Sequence, residues 1–335
     1  MELDLWNPQE LLPAVTPSEV RFSRGFLSLD LSEFFPGLQT NWSTFLSDTG
    51  IEIQILSTRQ SLKPPGGGSV PSFEFELMGG SAVLYVQPEM AENLGIVGFD
   101  LVSPTAKRVF VEYLFRRFLA SLNSCSQLDQ FKSMFRSGSG DRINATSSIE
   151  IALKVQGKDS SIWFGLSQDA LESVDQLLRD HVRSRAVKGF SASSLTSVSM
   201  EICQLAVPPA SLIDYIRPGT VIDLQRPVDR TVQLIKDGEP WLEGELFNCQ
   251  GLYVARVNNV SPGNAEVMVG MSRLSVELAS FEMDGAACVE SEIIGAMINS
   301  AQSLTSNVSL KVNGERIAKA QLAVADGHFV IRVGK

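Results

Sequence analysis

Two histidines, four cysteines and one glycine-rich loop are the features of this 335-residue chain whose residue types invite a chemical reading. Cys125, Cys203, Cys249 and Cys288 stand far apart with no Cys-x-x-Cys pair, so neither a zinc site nor a disulfide framework is expected. His181 falls beside Leu178 and Val182 on a predicted helix, and His328 sits next to a glycine turn. Neither has a second histidine or cysteine at ligand spacing, and no Ser-His-Asp set can be assembled from the two. The run Pro64-Pro-Gly-Gly-Gly-Ser69 has the look of a phosphate cradle, but a P-loop needs Gly-Lys-Ser/Thr opening a helix, and this run opens the alternating strand Phe73-Glu-Phe-Glu-Leu77. The expectation is a protein with no catalytic residues, no metal and no cofactor, whose chemistry is association.

Bulk charge narrows the partners. Lys and Arg number 28 against 38 Asp and Glu, a net charge of −10. That balance argues against a nucleic-acid footprint and against adsorption to anionic lipid. Nothing reaches ~18 uncharged apolar residues, and the opening Met1-Glu-Leu-Asp-Leu carries acids where a signal peptide needs a basic region, so a cytoplasmic, reduced protein is expected.

The elements that must position any interface follow from periodicity. After an ill-defined start, Gly50–Leu56 alternates as a strand, and Phe73–Leu77 and Ala82–Val86 form a hairpin about Gly79-Gly80. A short helix over 88–94 ends at Gly95. A longer helix follows, with Ser103 as N-cap, Pro104 at its first position, and Val109, Phe110, Leu114, Phe115, Phe118, Leu119 and Leu122 on one face; Lys107, Arg108, Arg116 and Arg117 hold a solvated face. Ile149–Val155, Gly157, Ser161–Leu166 and a helix over 167–185 repeat the same order, so strand, turn, strand and helix occur twice in the first half.

The last third carries a stronger duplication. Val232-Gln-Leu-Ile-Lys-Asp-Gly238-Glu239 with Leu246, Gly251, Val254 and Arg256 recurs without a gap as Val308-Ser-Leu-Lys-Val-Asn-Gly314-Glu315 with Leu322, Gly327, Val330 and Arg332. The offset is constant, since 314 − 238 and 332 − 256 both give 76. Backward, it pairs Glu201 with Glu277, Gly219 with Gly295 and Ile222 with Ile298. Gly238, Gly251, Gly314 and Gly327 are the expected structural turns, with Asp-Gly and Asn-Gly favouring type I′. The serine-rich stretch 191–199 reads as a linker, giving an N-terminal α/β domain over 1–190, copy one over 200–260, a second linker over 261–275 and copy two over 276–335. The fold class is α+β.

Leu212-Ile-Asp-Tyr-Ile-Arg-Pro-Gly219-Thr-Val-Ile222-Asp-Leu with Val232–Gly238, and Val308–Glu315 with Ala318, Leu322 and Val330-Ile-Arg332-Val333, resemble the SPOA domain. Two such domains behind a divergent α/β half are similar to the SctQ family of type III secretion sorting-platform, or C-ring, proteins. The resemblance implies a non-enzymatic cytoplasmic scaffold at the inner membrane that self-associates. It also implies binding to a stator-like SctL family protein and through it the secretion ATPase, to an SctK-like adaptor and to chaperone-effector complexes. A shorter product holding the last SPOA domain is implied too, with Met268, Met271 and Met283 as available starts. The related flagellar motor switch proteins, which bind a response regulator, are the alternative. A CheC-like phosphatase ranks third, because Ser103-Pro-Thr-Ala-Lys107 lacks the acid and asparagine of that helix.

Each copy is too small to hide an apolar sheet face well by itself, so the copies are expected to share a core. Leu234, Leu246 and Val254 from one, with Leu310, Leu322 and Val330 from the other, are the expected interface, in the intertwined pairing that the SPOA resemblance implies. Trp241, Phe247 and Tyr253, which differ from their counterparts in copy two, are candidates for partner contact. Arg256 and Arg332 recur with Glu239 and Glu315 and are expected to serve each copy internally, as an ion pair or a strand-end cap.

Overall fold

The computed structural model describes residues 4–40, 52–66, 70–87, 103–127, 131–135, 143–186, 195–260 and 270–334. The fold is α+β, and the chain divides into two units, Gly25–His181 and Met1–Arg24 with Val182–Lys335. The opening segment, β1 (Asp4–Leu5), α1 (Pro8–Leu11) and α2 (Pro17–Phe22), therefore belongs with the duplicated region. The predicted helix over 88–94 and its stop at Gly95 lie outside the described residues.

The Gly25–His181 unit is built on one antiparallel sheet of β2 (Ile53–Ser61), β3 (Val70–Leu77), β4 (Gly80–Val86), β5 (Ser133–Phe135), β6 (Ser147–Val155) and β7 (Lys158–Leu166), in the order β2-β6-β7-β4-β3-β5. The repeated hairpins β3-β4 and β6-β7 lie side by side through β4 and β7, with Leu84 opposite Phe164. Helix α3 (Pro104–Cys125) follows the first hairpin and α4 (Gln168–Ala186) the second. Phe75 meets Phe115 and Phe164 edge-on, both at 5.4 Å, which fixes α3 on the sheet.

Three expectations shift here. The hairpin turn is Met78-Gly79, and Gly80 is the first residue of β4, opposite Leu77. A Cβ at Gly80 would stand 2.4 Å from the backbone nitrogen of Ala170, so close packing of α4, not turn geometry, accounts for that glycine. The buried face of α3 is Leu114, Phe115, Phe118 and Leu119, whereas Val109 is 62% exposed. Arg116, placed on a solvated face, pairs with Glu112 and lies over the Phe135 ring at 3.9 Å.

In the duplicated unit, copy one supplies β8 (Leu195–Val207), α5 (Leu212–Tyr215), β9 (Val221–Pro227), β10 (Thr231–Lys236), β11 (Glu239–Cys249) and β12 (Leu252–Asn259). Copy two supplies β13 (Ser272–Asp284), α6 (Gly285–Ser291), β14 (Met297–Ser303), β15 (Asn307–Val312), β16 (Glu315–Ala325) and β17 (His328–Val333). Leu195–Ser199 and Ser272–Ser275, assigned above to linkers, are strand. Their lack of charge is the mark of a strand buried on both faces: Thr196, Val198, Ser199 and Met200 are all buried, as are Ser272, Leu274 and Ser275.

All four turn glycines have positive φ, and each follows a residue that also has positive φ: Asp237-Gly238, Gln250-Gly251, Asn313-Gly314 and Asp326-Gly327. Two such residues in succession make the type I′ turn, whose twist matches the strands it joins. Asp237 and Asn313 also accept from the first strand of their own copy, at Ser197 N (3.3 Å) and Arg273 N (2.8 Å).

Candidate assembly interface between the twin copies

The strand order β14-β12-β11-β10-β8-β13-β15-β16-β17-β9 reads the same from either end once each strand is replaced by its counterpart 76 residues away. The centre is β8 against β13, and the ends are exchanged. Copy one's β9 lies on copy two's β17, with Ile222 opposite Ile331 and Val221 opposite Arg332. Copy two's β14 lies on copy one's β12, with Ile298 opposite Ala255 and Met297 opposite Arg256. The crossings are fixed by twin hydrogen bonds, Gly219 N to Val333 O at 2.9 Å and Gly295 N to Val257 O at 2.8 Å. Gly219 and Gly295 both have positive φ there, which turns the chain toward the other copy.

One hydrophobic core results, holding Leu234, Leu246, Leu310 and Leu322 together with Met200, Val276, Ile222 and Ile298. Val254 and Val330 are not in it. A two-residue turn sets even-numbered residues opposite odd ones, so Leu246 faces Ala255 and Leu322 faces Ile331. Tyr253, Ala255 and Val257 therefore point inward with Leu246, while Val254 packs with Phe247 and Cys249 on the other face. Val330 does the same with Ala323 and Ala325.

The three aromatic contact candidates are all engaged inside the unit. Tyr253 is fully buried, and its hydroxyl donates to Thr305 O of copy two at 2.6 Å. Burial pushes its pKa up to about 12, against a smaller lowering by the Thr305 N–H, which donates to the Tyr253 oxygen at 3.3 Å. Phe247 is buried against Val15, Val20 and Met297, with the guanidinium of Arg256 4.8 Å from its ring centre. Trp241 is half-buried; its Nε1 donates to Glu292 Oε1 of copy two at 2.8 Å, and Lys236 Nζ stands 5.0 Å from its ring centre. What distinguishes these residues from their counterparts is their work between the copies.

Arg256 pairs with Glu245, its cross-strand neighbour, at 2.7 Å, not with Glu239. The equivalent neighbour of Arg332 is Gln321, which has no charge to offer, so the Arg256–Glu245 ion pair is not repeated in copy two.

Sequence reasoning passed over an ionic centre on the pseudo-two-fold. Glu201 and Glu277, equivalent residues, are both buried where β8 meets β13. Lys311 Nζ contacts Glu277 Oε2 and lies 3.6 Å from Glu201 Oε1, and Arg316 reaches Glu277 Oε1 at 2.6 Å. Ser199 and Gln204 donate to Glu201 at 3.4 and 3.2 Å. The counterparts of Lys311 and Arg316 in copy one are Ile235 and Pro240. Two carboxylates thus share cations that copy two alone provides. The readable signal was a charged residue recurring inside an otherwise apolar strand.

Val221 on the edge strand β9, and Ile213 and Ile216 just ahead of it in the chain, are exposed, a more accessible apolar set than the three aromatics. Burial pushes the Cys203 thiol up to about 11, with Arg226 acting weakly in the opposite sense.

No family model and no curated protein matches the chain. Among solved structures, the FliM middle domain from H. pylori is similar with a TM-score of 0.36 and 18% identity, covering 49% of this chain and 99% of that one. A chain from a FliM–SpeE complex and a chain from a FliG–FliM complex of H. pylori each give a TM-score of 0.34 at 17% identity, covering 52% and 48% of this chain and 100% of those. Likeness at this level assigns neither function nor partners.

Proposed function

We propose that this protein is a non-enzymatic cytoplasmic scaffold of a type III secretion sorting platform, in which the paired SPOA-like copies form the assembly unit. The observation that carries the reading is the strand exchange: the stretches whose residues resemble SPOA domains complete one another through β9 on β17 and β14 on β12. A stator-like SctL protein, and through it the ATPase, docks on this unit, with the edge at β9 as a place for strand addition. An SctK-like adaptor and chaperone-effector complexes are its further partners.

The ionic centre supports a role for a separate copy-two product as well. Two copy-two units paired in the same way would bring two Lys311 to two Glu277, whereas two copy-one units would bury two Glu201 with Ile235 in place of lysine. Copy two can pair with itself; copy one needs copy two.

The test is an affinity pull-down of the tagged full chain from its native cell, with mass spectrometry of what is retained. Recovery of the stator, the ATPase and a C-terminal fragment supports the proposal. Recovery of a response regulator in their place moves the protein to the flagellar switch, and recovery of neither overturns the scaffold reading.

A further inference from the structure

Residues 4–15 belong to neither copy, yet they engage equivalent places on both. β1 runs antiparallel to β16, with Asp4 opposite Val324 and Leu5 opposite Ala323, and Trp6 N donates to Leu322 O at 3.2 Å. At the other end, Ala14 bridges in parallel to Asn248, with Val15 N to Asn248 O at 2.8 Å and Asn248 N to Pro13 O at 2.9 Å. Asn248 and Val324 are equivalent residues, since 324 − 248 gives 76.

Between these anchors Trp6 fills an aromatic cleft. It is 2% exposed, stacked on Tyr253 at 6.4 Å with an interplanar angle of 14°, and edge-on to Phe329 at 5.8 Å. Tyr253 and Phe329 are again equivalent, one from each copy. Leu12 is buried in the same core, Val15 and Val20 cover Phe247, and the Ser23 hydroxyl accepts from Met297 N at 2.8 Å. A capping box between Thr16 and Glu19 holds α2 in its own shape.

The strap's covalent route to its seat is long. The chain leaves this unit at Arg24 and re-enters it at Val182, so the whole Gly25–His181 unit intervenes. A segment tethered in this way re-forms identical contacts on another molecule of the same chain, the condition under which like elements are exchanged between protomers. We propose that residues 4–23 are an exchangeable strap, and that the Tyr253–Phe329 cleft of one chain receives Trp6 of a second copy, linking chains without any new surface. This holds whether or not the secretion reading does.

A disulfide trap tests it. In the full chain carrying Leu5→Cys and Ala323→Cys, directly opposed residues, oxidation yields an internally linked monomer when the strap is seated at home and a covalent dimer when it is seated on a neighbour. The expected result is a dimer fraction that rises with protein concentration and is absent from either single variant. Internally linked monomer alone, at every concentration up to the solubility limit, overturns the proposal. Should that variant fail to fold, a labelled peptide of residues 4–22 is titrated into full-length wild type and Trp6→Ala. Binding at least tenfold tighter to Trp6→Ala, lost when the peptide itself carries Trp6→Ala, supports an open seat; equal absence of binding to both chains overturns it.

Discussion

Both units of this molecule are built by repetition, and they use it differently. In Gly25–His181 the repeated hairpins β3-β4 and β6-β7 pair side by side through β4 and β7, and the strand preceding each hairpin lies on the outer edge of the other, β2 on β6 and β5 on β3. In the C-terminal unit each copy gives its partner a strand, and the core closes across the exchange. Those outer strands are unequal, 9 residues in β2 against 3 in β5, so the two halves are not held to one geometry, which fits the weak sequence correspondence between Phe73–Leu77 and Ile149–Leu153. The C-terminal exchange is equal, 7 residues in each of β9 and β14, and ties corresponding positions of both copies to one geometry, which fits an offset of 76 that never slips.

That contrast can be attacked at its most costly point first. Lys311→Met leaves Glu201 and Glu277 buried without their shared ammonium, and unfolding by urea should show a loss of about 3–5 kcal/mol at neutral pH. A loss within a few tenths of a kcal/mol would mean the ionic centre does nothing between the copies.

Truncating the shared core comes next. Leu234→Ala and Leu310→Ala should each cost about 2–5 kcal/mol, and each should lower the unfolding midpoint reported by probes in both copies. Gly80→Ala is the contrasting variant in the other unit. Its methyl meets the Ala170 backbone and should cost about 1–3 kcal/mol, with hydrogen exchange accelerated in Gly25–His181 alone.

Tyr253 sharpens the comparison through pH. A phenol whose pKa is raised when folded, to about 12 from 10.0, contributes stability that is intact below pH 10.0 and is lost as pH rises toward 12. The stability of wild type relative to Tyr253→Phe should therefore fall by roughly 2–3 kcal/mol across that window, measured by chemical denaturation. The smallest expected effect is Trp241→Ala. Losing its hydrogen bond to Glu292 and its contact with Lys236 should cost about 1 kcal/mol, because the site is partly exposed.

Legibility in the sequence followed from how local each cause is. The Asp-Gly and Asn-Gly turns, the alternating strands and the constant offset are written in neighbouring residues, and the leucines of the shared core follow from them. Val254 and Val330 fall one residue out of step with that core, because a two-residue turn reverses parity on the facing strand and sets Ala255 and Ile331 opposite the leucines. Strands β8 and β13 were partly read as linkers, since low charge marks both a linker and a strand buried on two faces. The SPOA resemblance implies intertwining, but that β9 and β14 are the strands that cross is not readable, because nothing in a strand's own sequence names the edge on which it lands. Trp6-Asn-Pro8 and Thr16-Pro-Ser-Glu19 did carry helix-start signals; their seat is made by residues more than two hundred positions away.

Disulfide trapping of strand neighbours tests the exchange most directly. With Val221→Cys and Arg332→Cys in one variant, and Met297→Cys and Arg256→Cys in another, both should oxidise to an internal crosslink, since each pair is directly opposed across the copies. Val221→Cys with Arg256→Cys, which a copy folded on itself would bring together, should remain reduced. Crosslinking of that last pair, with the first two left open, would contradict the account.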